Sequence, residues 1–576
     1  MKRTFLASLI AATAMSAYAD ADAIYFGGDI LTMDDAMPKV EAVAVKEGKI
    51  VAVGKKDAIK AEHKDANTEL VDLEGRTLMP SFFDAHSHFQ MSGVKLAMVN
   101  LDPKPAGNIE SIKDIQREMS WALSKREKDN KGSKDWVIGW GYDNAMLEED
   151  RHPTRHDLDA ISTEVPIIAI HFSTHIVVAN TYMLDMLGID ENSVAPSGGV
   201  IQREAGSMQP NGILEEAAIK PILLSLTEDL GVDQSQDLPE DFMFELAQKM
   251  VRDAQDLYAS QGFTTATEMG LSPQTQALFQ HMAATDQLKI DVAGGMFYFA
   301  TDVDTVVNNY SPDYDNGFRL AGLKANLDGG SPGRTAFLRD PYHVQLEGEE
   351  GYVGYSSMSA DDLAKLASSY LEHDIPLFVH ALGDGALDIA IEGLTVANKA
   401  YPGKDRRTQL IHLQQVQEDQ FETLKDLDVT LTYQMAHSFY FADFHAKQIY
   451  GPERTAKLNP VQSGINHGFS TTIHHDSPVH PVDQFTLIWT AVNRVSRSGK
   501  VWGEDERISV MDALKASTIN AAYQFREEDH KGSLEPGKLA DMIILDQNPL
   551  KVDPMALKDL KVMATYKEGV EIFRAK

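Results

Sequence analysis

Short apolar runs, broken by polar turns that contain glycine, mark both ends of the chain. Ala42-Val43-Ala44-Val45 and Ile50-Val51-Ala52-Val53 flank Lys46-Glu47-Gly48-Lys49, the signature of a hairpin. Near the other end, Ala540–Leu545 reads as a strand, and Val562–Tyr566 and Val570–Phe573 flank Lys567-Glu568-Gly569. Chain termini commonly lie close together. Residues 20–78 and 533–576 are therefore expected to form one composite β-sandwich that encloses the rest of the chain.

Between these ends the periodicity alternates. Leu246, Met250, Ala254 and Leu257 stand at helical spacing, and Gly262 stops that helix before the strand-like run Phe263–Glu268. Ser359 and Asp362 resemble a capping box ahead of Leu363, Leu366 and Tyr370, and the strand-like run Leu377–His380 follows. Such alternation predicts parallel βα units. Eight strands are expected: Phe82–His88, Phe263–Glu268, Ile290–Phe297, Leu320–Asn326, Leu377–Leu382, Thr408–Leu413, Val429–Gln434 and Thr471–Asp476. The fold class is thus α/β, a (β/α)8 TIM-like barrel over residues 79–532, with its chemistry at the C-terminal ends of the strands. Residues 89–261 are too long for an ordinary βα loop. They hold strand-like runs of their own, Trp136–Gly139 and Val165–His171, and read as an insertion that lids the barrel mouth.

Composition narrows the function. A net charge of −33 over 576 residues excludes nucleic-acid binding by bulk electrostatics. Cysteine is absent, so there is no thiolate ligand and no cysteine nucleophile. Lys2 and Arg3 precede an apolar stretch from Phe5 to Met15, and Ala17-Tyr18-Ala19 fits a signal-peptidase site. Residues 1–19 are expected to be a signal peptide, leaving an exported protein, periplasmic or secreted, without a membrane anchor. Homo-oligomerisation is left open.

The candidate chemistry lies on the predicted barrel strands. His86 and His88 form a His-x-His pair, and on a strand both imidazoles would share one side. Lys324, His380, His412 and Asp476 follow on strands four, five, six and eight. Imidazole and carboxylate suit zinc, and other divalent ions are compatible. His86, His88 and Asp476 can hold one ion, and His380 and His412 a second. Lys324 would lie between them, since a buried lysine loses its proton readily and the neutral amine can add carbon dioxide to give a bridging carbamate. Asp476 is the candidate proton carrier for a metal-activated hydroxide. His437, on the segment after strand seven, is a candidate donor to the oxyanion. Trp140, Tyr142, His175, Glu216 and Tyr440 are candidates to line a small-molecule pocket.

These motifs together resemble the metal-dependent amidohydrolase superfamily, and within it the amidohydrolase family 3 branch that includes N-substituted formamide deformylases. The resemblance runs over nearly the whole chain beyond residue 19. It is carried by Leu78-Met79-Pro80 leading into His86-x-His88, Gly139-Trp140-Gly141-Tyr142-Asp143, Gly212-x-Leu214-x-Glu216, Gly262-Phe263-Thr264-Thr265, Lys324-x-x-x-Asp328-Gly329, His380-Ala381-Leu382-Gly383-Asp384 and Gly532–Asp541. It implies a divalent metal centre, usually zinc, on His86, His88, Lys324, His380, His412 and Asp476, and it suggests carbamylation of Lys324. It implies hydrolysis of a non-peptide carbon–nitrogen bond. One departure is Ile411, which stands where the branch often has Glu before the strand-six histidine. The competing readings are a one-metal deaminase on the same barrel and a non-catalytic binding or regulatory protein that kept the fold.

Overall fold

In a computed structural model, eight parallel strands follow one another around a curled sheet in chain order. They are Phe82–Phe83 (β1), Phe263–Leu271 (β2), Asp291–Phe297 (β3), Phe318–Asn326 (β4), Leu377–Ala381 (β5), Thr408–His412 (β6), Val429–Tyr433 (β7) and Thr471–Ile473 (β8). The structure describes residues 20–576 apart from 130–135, 174–175, 197–198, 220, 223–239, 347, 349 and 404. The proposed signal peptide lies outside the described residues. Among the described residues, no ladder joins β1 to β8, but the His88 N–H donates to the Ser477 carbonyl at 2.7 Å across that gap. The chain is thus mixed α/β with a curled parallel sheet, the frame of a TIM-like barrel. No helix among the described residues is long and apolar enough to cross a membrane.

The first strand is much shorter than its sequence suggests. Phe82 and Phe83 pair with β2, and then the Asp84 carboxylate captures the chain. Its oxygens accept from the backbone N–H of His86 at 3.2 Å, the N–H of Thr267 at 3.0 Å and the Thr267 hydroxyl at 2.9 Å, and from the Ser87 hydroxyl. A strand cannot continue where a side chain takes the backbone's donors. His86 therefore sits on a bend and His88 on a lone antiparallel bridge to Glu268 rather than on a continuing strand, and the period-two argument for their convergence does not apply. They meet because Asp84 folds the segment.

The helices between strands follow their capping signals. Ser359 Oγ accepts from the Asp362 N–H at 3.2 Å and starts Ala360–Leu371, which buries Leu363, Ala367 and Tyr370 against the sheet. A serine cap of this kind contributes about 1 kcal/mol. Glu240–Ser260 ends at Gly262, whose φ of +91° is a conformation that disfavours any side chain. A Cβ there would also press on Phe82, Ile543 and Val562.

Two further sheets frame the barrel. Strands from both chain ends share one eight-stranded sheet, in which Thr77–Pro80 pairs antiparallel with Met542–Leu545. Residues within 89–261 build a six-stranded sheet that includes Val137–Tyr142, Ile167–His171 and Pro210–Glu216, with apolar cores of its own.

Candidate metal centre

Six predicted ligands come from five places along the barrel, and the structure gathers them at the C-terminal ends of the strands. Asp476 is the hub. Its Oδ1 lies 3.3 Å from His86 Nε2 and 3.7 Å from His88 Nε2, and its Oδ2 lies 3.8 Å from His412 Nδ1. Lys324 Nζ is 3.5 Å from His86 Nε2. The His380 and His412 rings are 4.3 Å apart between centroids, and His86 and His412 are 4.9 Å apart. His86, His88 and Asp476 offer ligand atoms within 4.8 Å of one another.

Backbone conformation aims two of these groups. His412 ends β6 with φ +82°, and Asp476, three residues past β8, has φ +58°. Non-glycine residues rarely take this left-handed region, and where they do the local cost is roughly 1–3 kcal/mol. Lys324 and His380 need no such strain, because they lie within β4 and β5.

Electrostatics favour a neutral, lone-pair-rich site. Lys324 is 1 % exposed, and burial drops its pKa to about 7. Burial, with Lys324 nearby, holds His86 down to about 3, and burial likewise keeps His412 well below the usual histidine range. For Asp476, burial alone would raise the pKa, but the surrounding imidazoles of His412, His86 and His88 outweigh it and keep the carboxyl ionised. Gln434 Nε2 fixes this carboxylate by donating to Oδ2 at 2.9 Å.

The donor set fits a divalent cation. His86 Nδ1, His412 Nδ1 and Asp476 Oδ1 are buried and have no hydrogen-bond partner among the described residues. Leaving such groups unmet costs about 1–3 kcal/mol each, a cost that coordination removes. His474 belongs to the same group. It is buried, both ring nitrogens lack partners among the described residues, and its ring lies 5.0 Å from those of His86 and His412.

Sequence reasoning missed several neighbours. His474 stands two residues before Asp476, a spacing that would have flagged it by the same rule applied to His86 and His88. Glu268, at 4.0 Å from His88 Nδ1, accepts from the Gln90 N–H at 2.7 Å, and burial raises its pKa to about 8. Asp328 accepts from the Leu382 and Gly383 N–H groups, both at 3.0 Å, and faces His380 Nε2 at 3.4 Å. Ile411 packs in the barrel interior with Phe83, Met269 and Phe378, so an acid there would be buried among apolar groups.

The other expected site residues are dispersed. His437 sits in a five-residue helix directly after β7, Ala436–Tyr440, instead of a surface loop. It is buried, its Nδ1 is 3.1 Å from His445 Nε2, and burial lowers its pKa to about 4. Tyr440 lines a crevice beside His480. Tyr142 packs in the core of the insertion, with its hydroxyl 3.0 Å from His152 Nδ1. Trp140 is buried on the same strand, and Glu216 ends the strand Pro210–Glu216. His175 lies outside the described residues.

Residues 69–573 match the profile described as the Amidohydrolase family. The chain belongs to the amidohydrolase family. It is a metal-dependent hydrolase acting on carbon–nitrogen bonds. The N-substituted formamide deformylase of Arthrobacter pascens is 26 % identical over 559 residues, covering 95 % of this chain and 98 % of that one. Protein LONG AFTER FAR-RED 3 of Arabidopsis thaliana is 27 % identical over 568 residues, covering 96 % and 92 %. An uncharacterised metal-dependent hydrolase from Pyrococcus horikoshii OT3 shares the fold at a TM-score of 0.70 and 24 % identity, over 92 % of this chain and 99 % of that one.

Proposed function

We propose that this amidohydrolase cleaves the amide bond of a small, non-peptide substrate at a two-ion centre, with zinc as the metal. His86, His88 and Asp476 would hold one ion, His380 and His412 the other, and Lys324 as a carbamate would bridge them. The observation that carries this reading is the buried group of unmet ligand atoms around Asp476. A divalent cation held there polarises a carbonyl oxygen and lowers the pKa of water.

The protein's own groups do the rest. Asp476 takes a proton from the attacking water and returns it to the leaving nitrogen as the C–N bond breaks and the C–O bond forms. Gln434 keeps that carboxylate in place during both transfers. His437 donates to the developing oxyanion. Trp140, His175, Glu216 and Tyr440 shape the approach of substrate. The terminal sheet is read as a composite β-sandwich, residues 89–261 as a lid, and residues 1–19 as a signal that exports the enzyme to the periplasm or medium.

Elemental analysis and a substrate screen test this reading together. Two ions per chain, and turnover of formamides, N-acyl amino acids or lactams, are expected. One ion per chain with release of ammonia from an amino-substituted ring would point to a deaminase. Full metal loading with no turnover across the screen would favour a binding role.

A further inference from the structure

A chain of buried side-chain amides runs from Asp476 across the mouth of the barrel. Gln434 follows β7 directly, and its Nε2 donates to Asp476 Oδ2 at 2.9 Å. Gln414 lies two residues beyond β6, and its Nε2 donates to Gln434 Oε1 at 3.1 Å. Gln414 Oε1 accepts from the Tyr450 hydroxyl at 3.0 Å and from the hydroxyl of Ser331, on the segment after β4. All four residues are buried. The backbone beneath the two amides is fastened. The Gln434 N–H donates to the His412 carbonyl at 3.1 Å. Asn459 ties both segments, its N–H to the Gln414 carbonyl and its Nδ2 to the Gln434 carbonyl, each at 3.0 Å.

The chain has a direction, and donor chemistry fixes it. An ionised carboxylate only accepts, so Gln434 must turn its nitrogen to Asp476 and its oxygen to Gln414. Gln414 must then give its nitrogen to Gln434 and its oxygen to the two hydroxyls, which rotate to donate. Turning either amide over sets two acceptors face to face inside a buried network, where opposed polar groups are costly. This direction divides the two oxygens of Asp476. Oδ2 is taken by Gln434. Oδ1 is buried, has no hydrogen-bond partner among the described residues, and lies 3.3 Å from His86 Nε2.

We infer that Gln414 is a positioning residue: it holds the Gln434 amide nitrogen on Asp476 Oδ2 and so leaves Oδ1 as the oxygen that faces the metal. The inference rests on the metal-centre reading above. Gln414 acts only through Gln434. Ser331 and Tyr450 orient Gln414 in turn, so the segments after β4 and β7 are tied to the same carboxylate. A group that orients a metal ligand sets both its affinity for the ion and the activity of the centre.

The test compares the natural full chain with Gln414→Glu and Gln414→Met. Glutamate keeps the size and can accept from both hydroxyls, but it has no N–H for Gln434. That amide then has to turn, and it sets its oxygen against Asp476. Methionine removes the donor without adding a charge. Zinc affinity, read by competition with a chromogenic chelator, should fall about 10- to 100-fold in Gln414→Glu and less in Gln414→Met. For a substrate found in the screen above, kcat should fall in the same order with KM unchanged. A merely structural amide would lower the unfolding midpoint of both variants alike and leave the zinc affinity of the folded protein where it was. That result overturns the inference, as does an equal loss of affinity in the two variants or a rise in KM alone. If Gln414→Glu does not fold, Gln414→Met decides, and a zinc affinity equal to that of the natural chain overturns the inference. A natural chain that binds no zinc sinks the metal-centre reading and the inference together, whereas zinc bound equally by all three proteins sinks the inference alone.

Discussion

Two buried charged clusters occupy opposite ends of the barrel, and only one has its charges paired within the chain. At the N-terminal end of the strands, Lys531 pairs with Asp291 at 2.6 Å and Glu527 at 2.8 Å. Arg319 meets Glu527 at 2.6 Å, Tyr314 donates to Glu527 at 2.7 Å, and Lys567 from the terminal sheet reaches Asp291 at 3.0 Å. Every charge there faces an opposite charge, although Arg319 Nε is buried with no partner among the described residues. At the other end, His86, His412, His474 and Asp476 keep atoms that none of the described residues satisfies. Burial is similar in both, so burial does not tell them apart. The unmet valence does: a saturated cluster holds elements together, and an unsaturated one waits for something from outside.

Substitutions at the two ends should therefore fail in different ways. The largest effect is expected from Asp476→Asn, which should lower kcat by about 10³-fold through loss of proton transfer. Its denaturation midpoint should move little, and steady-state assays beside urea melts check both. Wild-type-like turnover in that variant would remove Asp476 from the mechanism. Lys531→Met should do the reverse. It strands Asp291 and Glu527 in the interior and should cost about 3–5 kcal/mol in urea unfolding, with turnover per folded molecule preserved.

Acidity sharpens the contrast further. In chelated protein, Lys324 titrates near 7 when folded and in the ordinary lysine range when unfolded. The unfolded chain then binds the extra proton between about pH 7 and 10, so stability should rise with pH across that window by a few kcal/mol. Lys324→Met should flatten the rise, as measured by melts at stepped pH. The smallest effect belongs to the paired cluster. Burial would raise the Asp291 pKa, but Lys531 and Lys567 override it and hold the carboxyl at about 2. Its contribution of about 2 kcal/mol is present above pH 4 and should be lost as pH falls toward 2. Asp291→Asn should show a shallower acid limb, even though it is less stable at neutral pH.

How much of this was legible in the sequence depended on what fixes each residue. Lys324, His380 and His412 were readable because parallel strands bring their C-terminal ends together whatever the loops do. His86 and His88 were found for an incomplete reason: their segment is bent by Asp84, a local hydrogen-bond choice that periodicity does not register. His474 and Gln434 were missed because each is an ordinary residue until its neighbours are known. The expected pocket residues were the least readable. Tyr142 turned inward to the insertion's own core, whereas Tyr440, far away in sequence, reached the crevice. Docking of one sheet on another decides such contacts, and no short window of sequence records it.

The terminal sheet has a consequence for how the molecule is made. Thr77–Pro80 pairs with Ala23–Leu31 on one side, but on its other side its partner is Met542–Leu545. A ribosome must therefore finish almost the entire polypeptide before this seam can zip. Early intermediates carry an open strand edge throughout synthesis, an invitation to mispairing that a nascent-chain holdase is suited to cover.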